Sequence, residues 1–175
     1  MRVVAGTARG LRLAAPAGDQ VRPTTDRVRE ATFNALNSLD AIDEARVLDL
    51  FAGSGALGIE ALSRGARSCT FCDTSAAALA SVRSNLEHTG FTDSATVVRV
   101  DAATHLAATP GEYDLVLADP PYSFDGWTEL LEAVDAPLVV MESGDEPAIP
   151  SGWNLVRKRR YGTTVVTIVE RCNTS

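Results

Sequence analysis

From residue 46 onward, short continuous apolar runs alternate with stretches of helical period. ARVLDLF (45–51) is apolar on both faces. ALGIEALSR (56–64) has helical character and stops at Gly65. SCTFCD (68–73) is a second strand. SAAALASVRSNLEHT (75–89) places Leu79, Val82 and Leu86 on one helical face, with Gly90 as its stop. ATVVRVD (95–101), a short helix near 102–108, YDLVLAD (113–119), GWTELLEAV (126–134) and APLVVME (136–142) continue the alternation. The chain then reads as a β-hairpin, WNLVRKRRYG followed by TTVVTIVER, with β-branched residues in the second arm. Apolar strands alternating with helices predict a parallel sheet covered on both faces. The link SGDEPAIPSG is too short and proline-rich for a crossover helix, so the terminal hairpin must insert one antiparallel strand.

The first 40 residues are patterned differently. RVVA (2–5) and LRLAA (11–15) flank the glycine-containing turn GTARG and predict a hairpin. A loop, PAGDQVRP, precedes TTDRVREATFNALNSL, where Val28, Thr32, Ala35, Leu36 and Leu39 recur at helical spacing and Thr24, Thr25 or Asp26 can cap. The predicted organisation is a hairpin extension over 1–20, a linking helix over 21–39, and a doubly wound domain over 40–175. A two-stranded hairpin is marginal alone, so the extension is expected to be mobile until a partner orders it.

Length and composition fit this picture. At about 150 residues per domain, 175 residues make one domain. Hydrophobic residues at 45% and charged residues at 22% are near globular averages, which excludes disorder as the main state. No run of 18 apolar residues predicts a transmembrane helix, and MRVVAGTARGLRL has no apolar signal core, so the expected location is the cytoplasm. The net charge of −7 argues against a nucleic-acid partner until its distribution is seen. Residues 1–33 carry six arginines (Arg2, Arg9, Arg12, Arg22, Arg27, Arg29) against three acids, whereas the rest of the chain holds ten basic and twenty acidic residues. An arginine-rich island on an acidic body suits phosphate and base edges. Cys69 and Cys72 have CxxC spacing, but an odd offset on a strand points them to opposite faces. With only His88 and His105 as further ligands, neither in a motif, no metal site is expected.

The candidate chemistry lies at strand ends. The first strand runs into DLFAGSGALG, where Gly53, Gly55 and Gly58 satisfy GxGxxG between a strand and a helix. Asp73 ends the second strand, 20 residues beyond Gly53, where a doubly wound fold places the acceptor for a ribose diol. Asp101 ends the third strand and can accept from an adenine amine. These positions together describe an adenosine-shaped site. The fourth strand ends in Asp119-Pro120-Pro121-Tyr122. The prolines stiffen the turn and leave carbonyls able to accept. The Asp119 carboxylate and the Pro120 carbonyl can bind both hydrogens of an exocyclic base amine, drawing its nitrogen out of conjugation for attack on a sulfonium methyl. Asp119 can take the released proton, and Tyr122 offers a face for an extruded base.

DLFAGSGALG followed by DPPY resembles the amine-methylating enzymes that use S-adenosylmethionine. RVVAGTARGLRL, RPTTDRVREATFNAL and YDLVLADPPY together resemble the RsmD family, from Arg2 to about Glu170. The resemblance implies a Rossmann-like class I fold, with a seven-stranded, mostly parallel sheet and one antiparallel strand. It implies methylation of the N2 amine of a guanine in 16S ribosomal RNA of the small subunit, by a monomer with no metal and no membrane association. Asp49, Gly53 and Gly55 would hold the methionine end of S-adenosylmethionine, with Phe51, Ala52, Ser54, Thr74 and Asp119 in the same cofactor site. Asp73 would take the ribose hydroxyls, and Asp101 with Ala102 the adenine. Asp119, Pro120, Pro121 and Tyr122 would hold the target base. Arg22, Thr24 and Arg27 would sit near the cofactor mouth and the RNA, and Arg2, Arg9 and Arg12 of the hairpin would contact RNA. Many relatives carry Glu at the ribose position, where Asp73 is one methylene shorter.

Other readings compete. The DPPY turn serves adenine N6 in DNA as well as guanine N2, although the extension is small for a DNA target-recognition domain. A noncatalytic RNA- or nucleotide-binding module would bind without methyl transfer. A nicotinamide dehydrogenase fits the glycines but leaves DPPY unexplained. The run Arg157, Lys158, Arg159, Arg160 reads first as edge-strand protection and second as RNA contact. Phe124 and Trp127 read as packing anchors before pocket lining, and His88 and His105 as ordinary helix residues.

Overall fold

The computed structural model describes residues 1–16 and 25–172. Seven strands form one sheet: β1 (Arg46–Leu50), β2 (Ser68–Asp73), β3 (Ala95–Arg99), β4 (Leu115–Ala118), β5 (Leu138–Ser143), β6 (Trp153–Tyr161) and β7 (Thr164–Arg171). Their order is β3-β2-β1-β4-β5-β7-β6. Strands β3, β2, β1, β4 and β5 are parallel to their neighbours, whereas β7 runs antiparallel to both β5 and β6. The order reverses at β1, between β2 and β4, which opens a crevice at the carboxyl ends of these strands.

Five helices cover the sheet: α1 (Asp26–Ser38), α2 (Ala56–Ser63), α3 (Ala76–Thr89), α4 (Ala102–Ala108) and α5 (Trp127–Ala133). Their ends follow from local chemistry. The Thr25 hydroxyl caps α1 by accepting from the Val28 N–H, and Ser75 caps α3 by accepting from the Ala78 N–H. Gly90, with φ of 78°, closes α3. No helix of the described residues is long and apolar enough to cross a membrane.

Two cores fill the faces. Phe33 and Leu36 of α1, Leu57 and Ile59 of α2, and Val82 of α3 pack on one face against Phe71 and Leu117. Leu106, Leu130 and Leu131 pack on the other against Val116 and Met141. Cys69 belongs to the first core and Cys72 to the second, as the odd strand offset requires. Both thiols are free and buried, and desolvation raises them, Cys72 to about 12. The last glycine of the GxGxxG run serves this packing. A Cβ on Gly58 would lie 2.3 Å from the Phe71 ring, so only glycine lets α2 rest on β2.

The amino-terminal segment departs from its expectation in two ways. It forms a single antiparallel bridge, Arg2 with Arg12, rather than two strands. It is also fixed to the body, not a mobile arm. Val3, Ala8 and Leu13 are buried in the first core. The Glu60 carboxylate of α2 accepts from the Val4 and Ala5 N–H groups at 2.8 and 3.0 Å. Ser63 and Asn85 bond Ala8 and Ala14 in the same way. Backbone groups with no ladder partner are thus satisfied by helix side chains. Leu39, the C-cap of α1, is exposed, and Phe33 and Arg29 join Val28, Thr32, Ala35 and Leu36 on the buried face. Arg29, counted above in the basic island, is fully buried and paired with Asp26 and Glu60, so it faces no partner.

Candidate active site

The strand alternation brings four carboxylates to one face of the sheet at its carboxyl edge. Asp49 lies opposite Phe71 and Leu117, both in the first core. Asp73 and Asp119 follow those two residues by two positions, on the same side. Glu142 lies opposite Val166, also of the first core, and follows Met141, the partner of Ala118. It is therefore the register neighbour of Asp119.

Below this edge, Asp49 acts on the protein itself. It is 1% exposed, and its Oδ2 accepts from the Gly58 N–H at 2.9 Å, tying β1 to the start of α2. Burial pushes its carboxyl well above the usual carboxylate range. The Gly58 bond opposes this, while Asp119, Asp73 and Glu142 push it further up. The loop between them is tightly turned. Phe51, Gly53 and Gly55 have φ of 60°, 55° and 79°. A left-handed Phe51 is a strained backbone position. Its ring contacts Phe124 at 5.4 Å, and Phe124 meets Trp127 edge-on at 5.0 Å.

Asp73 braces the same loop. Its Oδ2 accepts from the Gly53 N–H at 3.0 Å and its Oδ1 from the Ser75 N–H at 2.8 Å. Each oxygen keeps a second lone-pair direction for a ligand hydroxyl. Above it opens a cavity of about 1050 Å³, ample for a nucleoside-sized ligand. Its wall includes Phe51 and Gly53 after β1, Asp73 and Thr74 at the end of β2, and Asp119, Pro120, Pro121 and Tyr122 after β4. Arg27, next to the α1 cap, reaches it too.

At the DPPY turn, the Pro121 carbonyl accepts from the Phe124 N–H at 2.9 Å. The acceptor pair assigned from sequence is Asp119 and the Pro120 carbonyl, the residues just before Pro121. The Tyr122 ring lies over Gly144, where a Cβ would approach it to 2.8 Å. Its hydroxyl meets Thr164 Oγ1 at 3.2 Å, and the ring is 54% exposed. The ring is thus held from behind and open in front.

Other assigned residues lie elsewhere. Asp49, Ala52, Ser54 and Gly55 are behind the cavity wall; Ala52 and Ser54 bond Cys72 and Asn85 through their backbones. Asp101 caps α4, with its carboxylate accepting from the Thr104 N–H at 2.9 Å and the Thr104 hydroxyl at 2.7 Å. That hydroxyl, then the N–H, holds Asp101 below the usual carboxylate range. Neither Asp101 nor Ala102 is part of the cavity wall. Arg2, Arg9 and Arg12 are exposed on the docked hairpin. Arg22 and Thr24 lie outside the described residues.

The cavity also gains residues that sequence reasoning missed. Glu142, 2% exposed, lines it, as do Thr25 and, from the terminal hairpin, Arg160, Tyr161 and Thr164. Glu142 carried a readable signal, an acid ending an apolar strand like Asp73 and Asp119. The hairpin residues carried none, because only the antiparallel return of β7 brings them to this edge.

Comparison with known proteins agrees with this geometry. Residues 1–170 match the family described as Conserved hypothetical protein 95. The ribosomal RNA small subunit methyltransferase D of Escherichia coli is 36% identical over 98% of this chain and 90% of its own length. Its Haemophilus influenzae counterpart is 31% identical over 93% of this chain and 89% of its own. Among solved structures, a methyltransferase of Escherichia coli superposes with a TM-score of 0.85 at 36% identity, covering 98% of this chain and 97% of its own. With a cavity at the switch point, a DPPY turn on its wall and a match over nearly the whole chain, this protein belongs to the Conserved hypothetical protein 95 family, whose relatives here include the small-subunit ribosomal RNA methyltransferases D.

Proposed function

We propose that this protein transfers a methyl group from S-adenosylmethionine to the exocyclic N2 amine of a guanine in 16S ribosomal RNA of the small subunit. The observation that carries the reading is the placement of Asp119-Pro120-Pro121-Tyr122 on the wall of the same cavity as Gly53 and Asp73. The donor set fits the cofactor: a backbone-braced carboxylate for a diol, and a left-handed glycine loop beside it. Bound there, S-adenosylmethionine supplies an electrophilic sulfonium methyl. Asp119 and the Pro120 carbonyl would orient the target amine, and Asp119 would accept the proton the amine loses as the methyl passes to its nitrogen and the sulfur–methyl bond breaks, leaving S-adenosylhomocysteine. Tyr122 stacks the base. The full-length likeness to small-subunit ribosomal RNA methyltransferases supports the RNA substrate.

Labelled S-adenosylmethionine should be offered with unmodified small subunits, naked 16S RNA and duplex DNA, and the products digested to nucleosides. N2-methylguanosine from the ribosomal substrates is expected. N6-methyladenine from DNA would replace the substrate assignment, and binding of cofactor and RNA without transfer would indicate a noncatalytic module.

Two variants probe the parts. Asp73→Ala should weaken cofactor binding by about 1–3 kcal/mol, the cost of removing one partner of a polar pair. Titration calorimetry returning the wild-type affinity would remove Asp73 from the site. Arg9→Gln with Arg12→Gln should flatten the salt dependence of RNA binding, since each lost phosphate contact lowers the log–log slope by roughly 0.7–0.9. An unaltered slope would count against RNA contact by the hairpin.

A further inference from the structure

Of the basic run on β6, only Arg160 lines the catalytic cavity. The side chains of the run divide between the two faces of the sheet. Lys158 lies opposite Thr167 and pairs with Glu146, and Arg160 lies opposite Val165 and donates to the Gly144 carbonyl at 3.2 Å. Arg157 and Arg159 lie opposite Ile168 and Val166, on the face that α1 covers. Both are exposed, and neither forms an ion pair among the described residues. With Val156, Lys158 and Ile168 they line a groove of about 480 Å³ together with Ala35 and Ser38 of α1 and its C-cap Leu39. These lining residues include no acid. The far end of the same strand, Arg160 and Tyr161, lines the catalytic cavity with Gly162 of the turn that follows. One strand therefore runs from a basic groove to the wall where the target base is bound.

From this continuity we infer that the groove between α1 and β6 holds the phosphate backbone of the RNA strand whose target base enters the cavity. The inference rests on the RNA reading given above. Protection of an edge strand explains charge on β6 but requires neither sign, and β6 carries four cations and no acid in a chain of net charge −7. Two guanidinium forks on one face, about 6.6–6.8 Å apart along the strand, suit phosphates. A protein strand added to the β6 edge would use backbone groups and leave these forks without a role.

The test uses the full chain with Arg157→Gln and Arg159→Gln together, naked 16S RNA and unmodified small subunits as probes, and a salt series. The expected slope of log affinity against log salt is shallower than wild type by roughly 1–2. The KM for RNA should rise several-fold, with kcat and cofactor affinity within about twofold. Lysine at both positions should retain the slope, which separates lost charge from lost folding. Wild-type slope and affinity in the double Gln variant would overturn the inference. So would loss on assembled subunits with naked RNA unaffected, which would mark a protein contact. A shallower variant slope beside a wild-type protein that methylates no guanine would uphold the groove and reject the guanine assignment.

Discussion

Asp119→Ala is expected to lower methyl transfer by roughly 10²- to 10⁴-fold while cofactor affinity stays within about threefold. The separation follows from the cavity. Gly53, Asp73 and Thr74 follow β1 and β2, whereas Asp119 and Tyr122 follow β4, at the rim of the same cavity. The alanine variant keeps the β1 and β2 ends and removes one of two acceptors for the amine. Pro120 alone cannot hold both hydrogens, so the amine regains conjugation with its ring and loses both alignment and a proton acceptor. Asp119→Asn should fall between wild type and alanine, because its amide oxygen still accepts while the amide cannot take a proton. Single-turnover rates and calorimetry on the same preparations give both readouts. Parallel loss of cofactor binding would show that Asp119 serves the cofactor first and sink its assignment to the amine. The carboxylates at this edge make that outcome worth measuring, because Asp119, Asp73 and Glu142 all push the buried Asp49 carboxyl up, and removing Asp119 relieves part of that push.

What could be read in advance follows from range. The alternation of apolar strands with capped helices is local, and it placed every strand of the sheet and the single antiparallel β7. The opposite facing of Cys69 and Cys72 needed only the strand period. The strand-end positions of Asp73 and Asp119 were readable for the same reason, and both reach the cavity. Asp101 shows where this logic stops. Its strand-end position reads as a ligand acceptor, whereas the structure shows it capping α4 through Thr104, three residues on, and outside the cavity wall. The D-A-A-T spacing carried that signal and competed with the ligand reading. Glu60 and Arg29 show only their local partners, Arg64 and Asp26, in the sequence; their pairing with each other and the contacts of Glu60 with the hairpin are remote. Glu60 sits in an apolar helical stretch and bonds residues 55 and 56 positions away. No period or motif reports such a contact.

Glu60→Ala should be the most destabilising single change outside the apolar core, at about 3–5 kcal/mol. The Glu60 side chain is fully buried. It accepts from Val4 and Ala5 in the hairpin and from Arg64 Nε at 2.8 Å, and it lies 3.5 Å from Arg29 Nε. Alanine would strand two backbone donors and leave the buried Arg29 with Asp26 and the Arg2 carbonyl as its remaining partners. In a domain whose total stability is about 5–15 kcal/mol, that is a large share. At about 2–4 °C per kcal/mol for a chain of this size, the melting temperature should fall by roughly 6–20 °C. Arg29→Met in the alanine background should recover part of the loss, because it removes the buried charge that Glu60 had balanced. A double-mutant cycle over positions 29 and 60 isolates that coupling. If Glu60→Ala melts within a degree or two of wild type, the hairpin is held by Val3, Ala8 and Leu13 alone and the carboxylate is dispensable. If it melts early and the Arg29 change restores nothing, the cost lies in the stranded Val4 and Ala5 donors, and the hairpin that presents Arg9 and Arg12 is anchored through its backbone.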